Sequence, residues 1–116
     1  MPRVSATSDV FNAIADPRRR QIIDLLSQRR GLPVGTIVTT LGLRQPAVSK
    51  HLGVLRGVGI VTVEKLGKSR VYDLNLDQLR TIQKWIQTLE MHWERQLDRI
   101  RARAEQRASR SSDTPE

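Results

Sequence analysis

The spacing of apolar residues in the middle of the chain predicts a helix with one buried face. Val48, Leu52 and Leu55 recur at helical intervals and turn one side of the helix inward. Pro46 suits its first turn, because proline has a preset φ and no N–H group, and a glycine at 57 or 59 ends it. The outward side is polar, carries short side chains and contains no acidic residue. Such a surface fits the major groove of DNA, whereas an ordinary solvated helix is the alternative for this segment taken alone.

A shorter helix precedes this one and completes a motif. Residues 34–41 have apolar side chains at helical spacing, with Pro33 near the start and Gly42 at the end. Residues 28–33 before them are predicted to form a loop. Only Gly42 and Leu43 come before the polar start of the next helix. That spacing is typical of a helix-turn-helix, in which the second helix enters the major groove.

Two further helices are predicted nearer the N-terminus. Residues 10–14 form a short amphipathic helix, and Asp16 with Pro17 begins a second one that runs to about residue 27. The first turn of the second helix contains arginines at 18–20, an unfavourable place for cations because the N-terminal end of a helix dipole is positive. These arginines therefore require anions, and either a carboxylate of the fold, Asp16 or Asp24, or a DNA phosphate fits.

Beyond Gly59 the pattern of apolar residues changes to alternation. Apolar and polar residues alternate on both sides of Gly67 and Lys68, which predicts one β-hairpin over residues 60–74. The tip of this hairpin, residues 65–70, carries three cations and no acid. A basic hairpin beside a helix-turn-helix can follow the DNA backbone or minor groove, where it adds affinity more than sequence discrimination. A solvated turn is the alternative.

The longest predicted element is the last helix. No Gly or Pro interrupts the chain from Leu76 to about Arg107, a helix of roughly 45–50 Å, which exceeds the width of a domain of this size. Its apolar residues recur every seven positions until Gln96 breaks one of the two sets. Apolar residues at this spacing form a stripe along the helix, here called the seam, and a seam that extends beyond its own core needs a second chain to cover it. The alternative is a helix that packs on its own core only as far as Ile86 and frays beyond it.

Composition narrows the class of protein. The 116 residues contain 20 Lys and Arg against 12 Asp and Glu, and the net charge of +8 indicates a polyanionic partner. One domain over residues 8–107 is predicted, between disordered ends at 1–7 and 108–116. No apolar run is long enough to span a bilayer, and the N-terminus lacks the apolar core of a signal peptide. A cytoplasmic protein without membrane contact is therefore expected.

The chain offers little chemistry for catalysis or for metal binding. It contains no cysteine, which excludes disulfides, thiolate metal sites and a cysteine nucleophile. Its two histidines, His51 and His92, are too few for an imidazole cluster within one chain. No Ser-His-acid set, phosphate-binding loop or carboxylate pair in an apolar pocket can be identified. The sequence therefore predicts neither an enzyme nor a cofactor.

Taken together, these segments resemble the ArsR/SmtB family of bacterial repressors. The matching stretches are FNAIADPRRR at 11–20, AVSKHL at 47–52, GIV at 59–61 and GKSRVY at 67–72. The resemblance implies a mainly α-helical winged helix-turn-helix with about five helices, a small two-stranded β-hairpin as the wing and a long C-terminal dimerisation helix. It also implies a homodimer, paired through the first and last helices, that represses transcription from a DNA operator with two-fold symmetry.

By the same resemblance, helix 45–57 is the recognition helix, and the hairpin tip touches the DNA backbone or minor groove. Gln45 can read adenine with two hydrogen bonds, while Ser49, Lys50 and His51 can reach phosphates or base edges. His51 has an alternative, which is a hydrogen bond to a neighbouring helix. The DNA-binding residues so predicted are Arg44, Gln45, Ala47, Ser49, Lys50, His51, Lys68, Ser69 and Arg70. The dimer-interface residues so predicted are Phe11, Ile82, Ile86, Leu89 and Trp93.

The chain departs from the metal sensors of this family. Threonines, among them Thr39, stand where their cysteine motif lies, and the last helix offers only His92 beside carboxylates. One imidazole with oxygen ligands makes a poor zinc site, so the chain is similar to the metal-independent branch of the family. The resemblance then leaves an unknown effector or antirepressor protein as the partner that supplies the signal. Trp85 and Trp93 could line an effector pocket, although the core of the dimer is the favoured interpretation.

Two other functions are weighed against a sequence-specific repressor. A nonspecific nucleic-acid-binding architectural protein shares the basic charge, but it does not require a recognition face with short side chains. A metal-sensing repressor is the less favoured of the two, because the metal ligands of the family are not in place.

Overall fold

The computed structural model describes residues 6–112, with side chains from 9 to 110. The elements of this part of the chain are α1 (Ala6–Ile14), α2 (Pro17–Gln28), β1 (Leu32–Pro33), α3 (Val34–Leu41), α4 (Gln45–Gly57), β2 (Val61–Leu66), β3 (Ser69–Leu74) and α5 (Leu76–Ser112). Five helices with a β-hairpin between the fourth and fifth confirm the predicted, mainly α-helical winged fold. The chain divides into two compact units, one ending at Ile82 and the other beginning at Gln83.

The core of the first unit is aliphatic. Its most deeply buried large side chains, each exposed by 1% or less, include Ile22, Ile37, Leu52, Leu55 and Ile60. Val48 is also fully buried, so all three apolar positions predicted for the inner face of α4 do face inward. Burying one large aliphatic side chain contributes about 1.5–3 kcal/mol. This packing fixes α4 and leaves its opposite face to solvent.

Side chains of α2 close the junction between α1 and α2. The Oδ1 atom of Asp16 accepts hydrogen bonds from the backbone N–H groups of Arg18 (2.8 Å) and Arg19 (3.3 Å), and Pro17 follows the cap as predicted. The guanidinium groups of Arg19 and Arg20 donate to the last carbonyl groups of the α1 segment at 2.7–3.2 Å. Unpaired carbonyl groups at a helix C-terminus are good acceptors for such cations. Two of the three arginines are therefore satisfied within the fold.

The sheet has three antiparallel strands in the order β1-β3-β2. Pairing of Leu66 with Ser69 confirms the predicted turn, and Gly67 there has a φ of +62°, which glycine adopts without steric cost. The prediction of only two strands is wrong, because a third strand, β1, joins the sheet. It lies in the segment 28–33, which is predicted to be a loop. It has only two residues, which pair with Tyr72 and Val71 of β3. Two residues are too few to show a strand period in the sequence.

Both ends of the helical region extend beyond the predicted domain limits. Helix α5 continues to Ser112, so residues 108–112 are helical although the sequence predicts disorder there. Their polar composition is compatible with a helix because it includes no Gly or Pro. Helix α1 likewise includes residues 6 and 7 of the segment predicted to be disordered. The rest of both predicted ends, 1–5 and 113–116, lies outside the described residues.

Two amides tie the start of α5 to the turn that follows α4. The Nδ2 atom of Asn75 donates to the carbonyl oxygen of Gly59 at 3.1 Å, and the Nε2 atom of Gln78 donates to that of Val58 at 2.7 Å. The backbone N–H of Asn75 also donates to the carbonyl oxygen of Ile60 at 2.7 Å. These bonds fix the direction in which the chain leaves α4, and so they fix where the hairpin begins.

Candidate nucleic-acid interface

Helix α4 presents a polar face opposite its buried one. Gln45, Ser49 and Lys50 are exposed on this helix, and Arg44 is exposed just before it. Ala47 is half-buried, and its short side chain does not obstruct an approaching surface. The structure therefore leaves four of the predicted DNA-binding residues in this region open to solvent, with a small side chain among them.

The turn between α3 and α4 depends on Gly42. This residue has a φ of +64°, and its N–H donates to the carbonyl oxygen of Val38 at 2.9 Å, which ends α3. Leu43 then packs against the core. The carbonyl oxygen of Arg44 accepts the N–H of Val48 at 3.0 Å and so begins α4. The two helices are joined by the short turn that the sequence predicts.

The hairpin faces α4 across a groove of about 440 Å³. Ser49 lines this groove from α4, while Lys68, Ser69 and Arg70 line it from the hairpin. Its remaining walls are formed by Pro33, Val34 and Tyr72. The structure thus brings predicted residues of the recognition helix and of the hairpin tip to one surface, which we call the recognition groove.

Acidic residues are absent from the elements that build the recognition groove on its helical side. No Asp or Glu occurs between Asp24 and Glu64. Glu64 and Asp73 lie on the sheet face opposite to that of Arg70, because neighbouring residues along a strand point to opposite sides. The Oδ1 atom of Asp73 also accepts the N–H of Gly31 at 2.7 Å. Cations on this side are therefore left to attract the phosphates of a nucleic acid.

The N-terminal turn of α2 holds His51. This histidine is half-buried, and its Nδ1 atom accepts a hydrogen bond from Nε of Arg19 at 3.3 Å. In a neutral imidazole the proton then belongs to Nε2. The contact matches the alternative that the sequence leaves open for His51, a hydrogen bond to a neighbouring helix. Nothing in the sequence pairs it with Arg19, which comes 32 positions earlier.

The carboxylate of Asp16 lies beside Arg19, which donates the hydrogen bond to His51. Burial acts to raise the pKa of Asp16, but the backbone N–H groups of Arg18 and Arg19, together with the charge of Arg19, hold it below its ordinary value. Asp16 also forms an ion pair with Arg19 at 3.9 Å. The carboxylate therefore stays ionised near neutral pH and can keep its ion pair with Arg19.

Apolar side chains stay exposed along the second unit. Ile86 is 43% exposed, Leu89 is 47% exposed and Trp93 is 63% exposed. Sequence reasoning missed Leu97, which is half-buried and lies four positions beyond Trp93. A strict count by sevens lands on Gln96, whereas the 3.6-residue turn of a helix brings Leu97 to the same side as Trp93. The apolar seam therefore continues past the break.

The remaining two residues predicted for the dimer interface lie in the first unit. Phe11 is half-buried on α1. Ile82 is also half-buried and packs against the aliphatic core. Burial of Ile82 within its own chain leaves only part of its side chain available to a second copy.

Side chains that ligate metals do not cluster in the part of the chain that the structure describes. No group of three or more His, Cys, Asp or Glu there could hold an ion. His92 is exposed on α5. Thr39 donates its hydroxyl to the carbonyl oxygen of Gly35 at 3.0 Å, a bond within α3.

The fold and this surface define a class, the DNA-binding proteins of winged helix-turn-helix type. The family model described as bacterial regulatory protein, arsR family, matches residues 16–63. The chain is 32% identical over 89 residues to an uncharacterized HTH-type transcriptional regulator of Methanocaldococcus jannaschii, and this match covers 77% of the chain and 100% of the relative. It is also 32% identical over 79 residues to the transcriptional repressor SdpR of Bacillus subtilis, with coverage of 68% and 87%.

Solved structures give the same result. An ArsR-like transcriptional regulator from Rhodococcus sp. RHA1 has a TM-score of 0.72 and 25% identity, with 85% of this chain and 92% of that chain covered. The homodimeric winged helix-turn-helix DNA-binding domain of Mb0332 from Mycobacterium bovis has a TM-score of 0.61 and 28% identity, with 78% and 83% covered. This chain belongs to the ArsR family, whose members are transcriptional regulators and not enzymes. None of the helices that the structure describes is both long and apolar enough to cross a membrane.

Proposed function

We propose that this chain is a homodimeric repressor that binds a two-fold symmetric DNA operator in a sequence-specific manner. The observation that carries the proposal is the exposed face of α4, which is polar, has short side chains, contains no acid and lies beside a basic hairpin. Such a face suits the major groove, where the edges of all four base pairs can be distinguished. The relative SdpR is named a transcriptional repressor, which supports the direction of regulation.

In this proposal the helix and the hairpin contribute differently. Gln45 and Ser49 contact base edges, and Lys50 reaches a phosphate beside them. Lys68 and Arg70 hold the DNA backbone or the minor groove, and so they add affinity for any sequence. The other predicted contacts from these elements are Arg44, Ala47 and Ser69.

His51 contributes to the proposed surface mainly by its position. Its Nδ1 atom is occupied by Arg19, so only the Nε2–H remains to donate to a phosphate oxygen. The bond to Arg19 also holds the recognition helix against α2. A contact with DNA through Nε2 and a bond to α2 through Nδ1 are compatible.

The proposed dimer pairs through α1 and α5. The exposed seam of α5 supports this, because Ile86, Leu89 and Trp93 are apolar and 43–63% exposed in a single chain. Contiguous exposed apolar surface of this kind marks an interface. The Mb0332 domain, which has a similar fold, is described as homodimeric. Two copies would present two recognition helices, as a two-fold operator requires.

The test is a fluorescence-anisotropy titration at about 150 mM salt. The full chain is titrated against duplex DNA from its own upstream region and against a scrambled duplex, both with competitor DNA. We expect the upstream duplex to bind about 10³-fold more tightly, at two chains per site.

Equal binding of both duplexes would favour a nonspecific architectural protein, which the net charge of +8 also allows. A selection of bound genomic fragments then separates the two functions. One recurrent palindromic sequence supports the repressor, and fragments without a shared sequence contradict it.

A further inference from the structure

A second basic cavity lies beside the recognition groove. It has a volume of about 240 Å³ and is lined by Arg56, Val63, Lys65 and Arg70. Arg56 comes from the last turn of α4, while Lys65 and Arg70 come from β2 and β3. Arg70 also lines the recognition groove, so the two cavities share one wall. Arg56 is not among the residues that the sequence predicts to bind DNA, and Lys65 is included there only as part of the basic hairpin tip.

The register of the hairpin explains why these cations meet. Lys65 pairs directly with Arg70 across the two strands, and both therefore lie on the sheet face of Val63 and its partner Tyr72. The acid next to Lys65 in the sequence, Glu64, lies on the other face and lines a different cavity. No acid of the hairpin can therefore neutralise the pair.

This arrangement is unfavourable in the DNA-free protein. Like charges directly opposite each other on neighbouring strands destabilise a sheet. Among the residues that the structure describes, the three cations of this cavity take part in no ion pair, in contrast to Arg19 with Asp16, Arg80 with Asp77 and Arg101 with Asp98. All three of these cations are exposed. An anion from outside the chain would relieve their repulsion.

We propose that Arg56, Lys65 and Arg70 together bind one phosphodiester group of the operator backbone. The planar guanidinium groups of two arginines match the oxygens of a phosphate, and the lysine adds a point charge. The shared wall at Arg70 places this phosphate next to the DNA that occupies the recognition groove. The inference rests on the proposed function and extends it, because it adds a contact at the C-terminal end of α4.

The proposed contact sets register without reading sequence. Phosphates are the same at every base pair, so a clamp at one end of α4 fixes how the helix lies in the groove while other side chains select bases. Loss of this clamp is expected to weaken binding to all duplexes by the same factor.

The experiment measures the salt dependence of binding for Arg56→Ala, Lys65→Ala and the double variant. Each variant is titrated with the operator duplex and the scrambled duplex at several salt concentrations. Because the three cations share one phosphate, we expect the slope of log K against log salt to become shallower in each variant, and by no more than about 0.9 in the double variant, with the preference for the operator unchanged. The matched controls are Arg80→Ala and Lys84→Ala on α5, which remove the same charges and should leave the slope within error of the wild type.

Stability of the DNA-free variants gives an independent readout. Because the three cations repel one another, Arg56→Gln and Lys65→Gln should unfold at the same temperature as the wild type or at a higher one. Unchanged salt slopes for both alanine variants, in a protein that still prefers its operator, would overturn the phosphate site and leave the repressor intact. A clear fall in melting temperature of the glutamine variants would also overturn it, because the side chains would then be structural. If the wild-type protein has no operator preference and the alanine variants still have shallower slopes than the wild type, the phosphate site is supported and the sequence-specific repressor is contradicted.

Discussion

Arg19 connects three helices through one guanidinium group. Its Nη1 atom donates to the carbonyl oxygens of Asn12 and Ala13 on α1, each at 3.2 Å. Its Nε atom donates to His51 on α4, and its charge lies 3.9 Å from Asp16 at the start of α2. The same side chain therefore caps the helix proposed for the dimer interface and holds the helix proposed for recognition. Because hydrogen bonds of a charged donor are stronger than neutral ones, this residue should matter more than its neighbours.

Arg19→Lys should lower the free energy of unfolding by about 1–2 kcal/mol, because lysine keeps the charge but lacks the planar fork that reaches both helices. Chemical denaturation followed by circular dichroism measures the change. Arg18→Lys is the matched control, since Arg18 is exposed and it is its backbone N–H that donates to Asp16, and its effect should stay within about 0.5 kcal/mol. Equal losses for the two variants would show that the contacts of Arg19 contribute nothing specific.

At the scale of elements, the sequence predicts what local chemistry determines. Gly42 and Pro46 mark the helix-turn-helix, and Gly67 marks the hairpin turn, because each suits a backbone conformation that few other residues adopt. The strand β1 could not be predicted, since its two residues are ordered only by pairing with β3. The bond from Arg19 to His51 likewise depends on the approach of two helices that are distant in sequence. The cavity at Arg56 could be predicted only in part. The strand register places Lys65 opposite Arg70, but it does not show that α4 brings Arg56 beside them.

The turn of the hairpin gives a prediction with an internal control. Gly67→Ala should destabilise the protein by about 1–2 kcal/mol, because its φ of +62° is unfavourable for a residue with a Cβ, although no atom lies within 4 Å of the added carbon. Gly53→Ala also meets no atom within 4 Å, but Gly53 is inside α4 without a positive φ, so it should stabilise the protein by about 0.5–1 kcal/mol. Thermal denaturation measures both changes. Effects of the same sign would contradict the conformational explanation.

At the scale of the whole molecule, two large exposed side chains of α5 distinguish an apolar residue of the proposed dimer interface from one that is simply exposed to solvent. Trp93 is 63% exposed and Met91 is 56% exposed. Because each residue turns a helix by about 100°, the two side chains lie on nearly opposite sides of α5. Only Trp93 shares a side with Leu89 and Leu97. The proposed dimer therefore buries Trp93 and leaves Met91 in water.

Trp93→Glu should yield monomers in sedimentation velocity, because it places a charge in the apolar seam without a partner. Met91→Glu introduces the same charge two positions away and should remain dimeric. If Trp93→Glu also sediments as a dimer, the interface lies elsewhere on the chain.

The exposed seam of α5 also bears on how the amount of protein controls a gene. A single chain carries one recognition helix, so in the proposed mechanism only the paired form occupies a full operator. When most chains are unpaired, the concentration of pairs follows the square of the total, so halving the protein lowers the concentration of pairs about fourfold, and the occupancy of an operator that is far from saturated falls by the same factor. Dilution at cell division would then relieve repression more steeply than it would for a monomeric regulator.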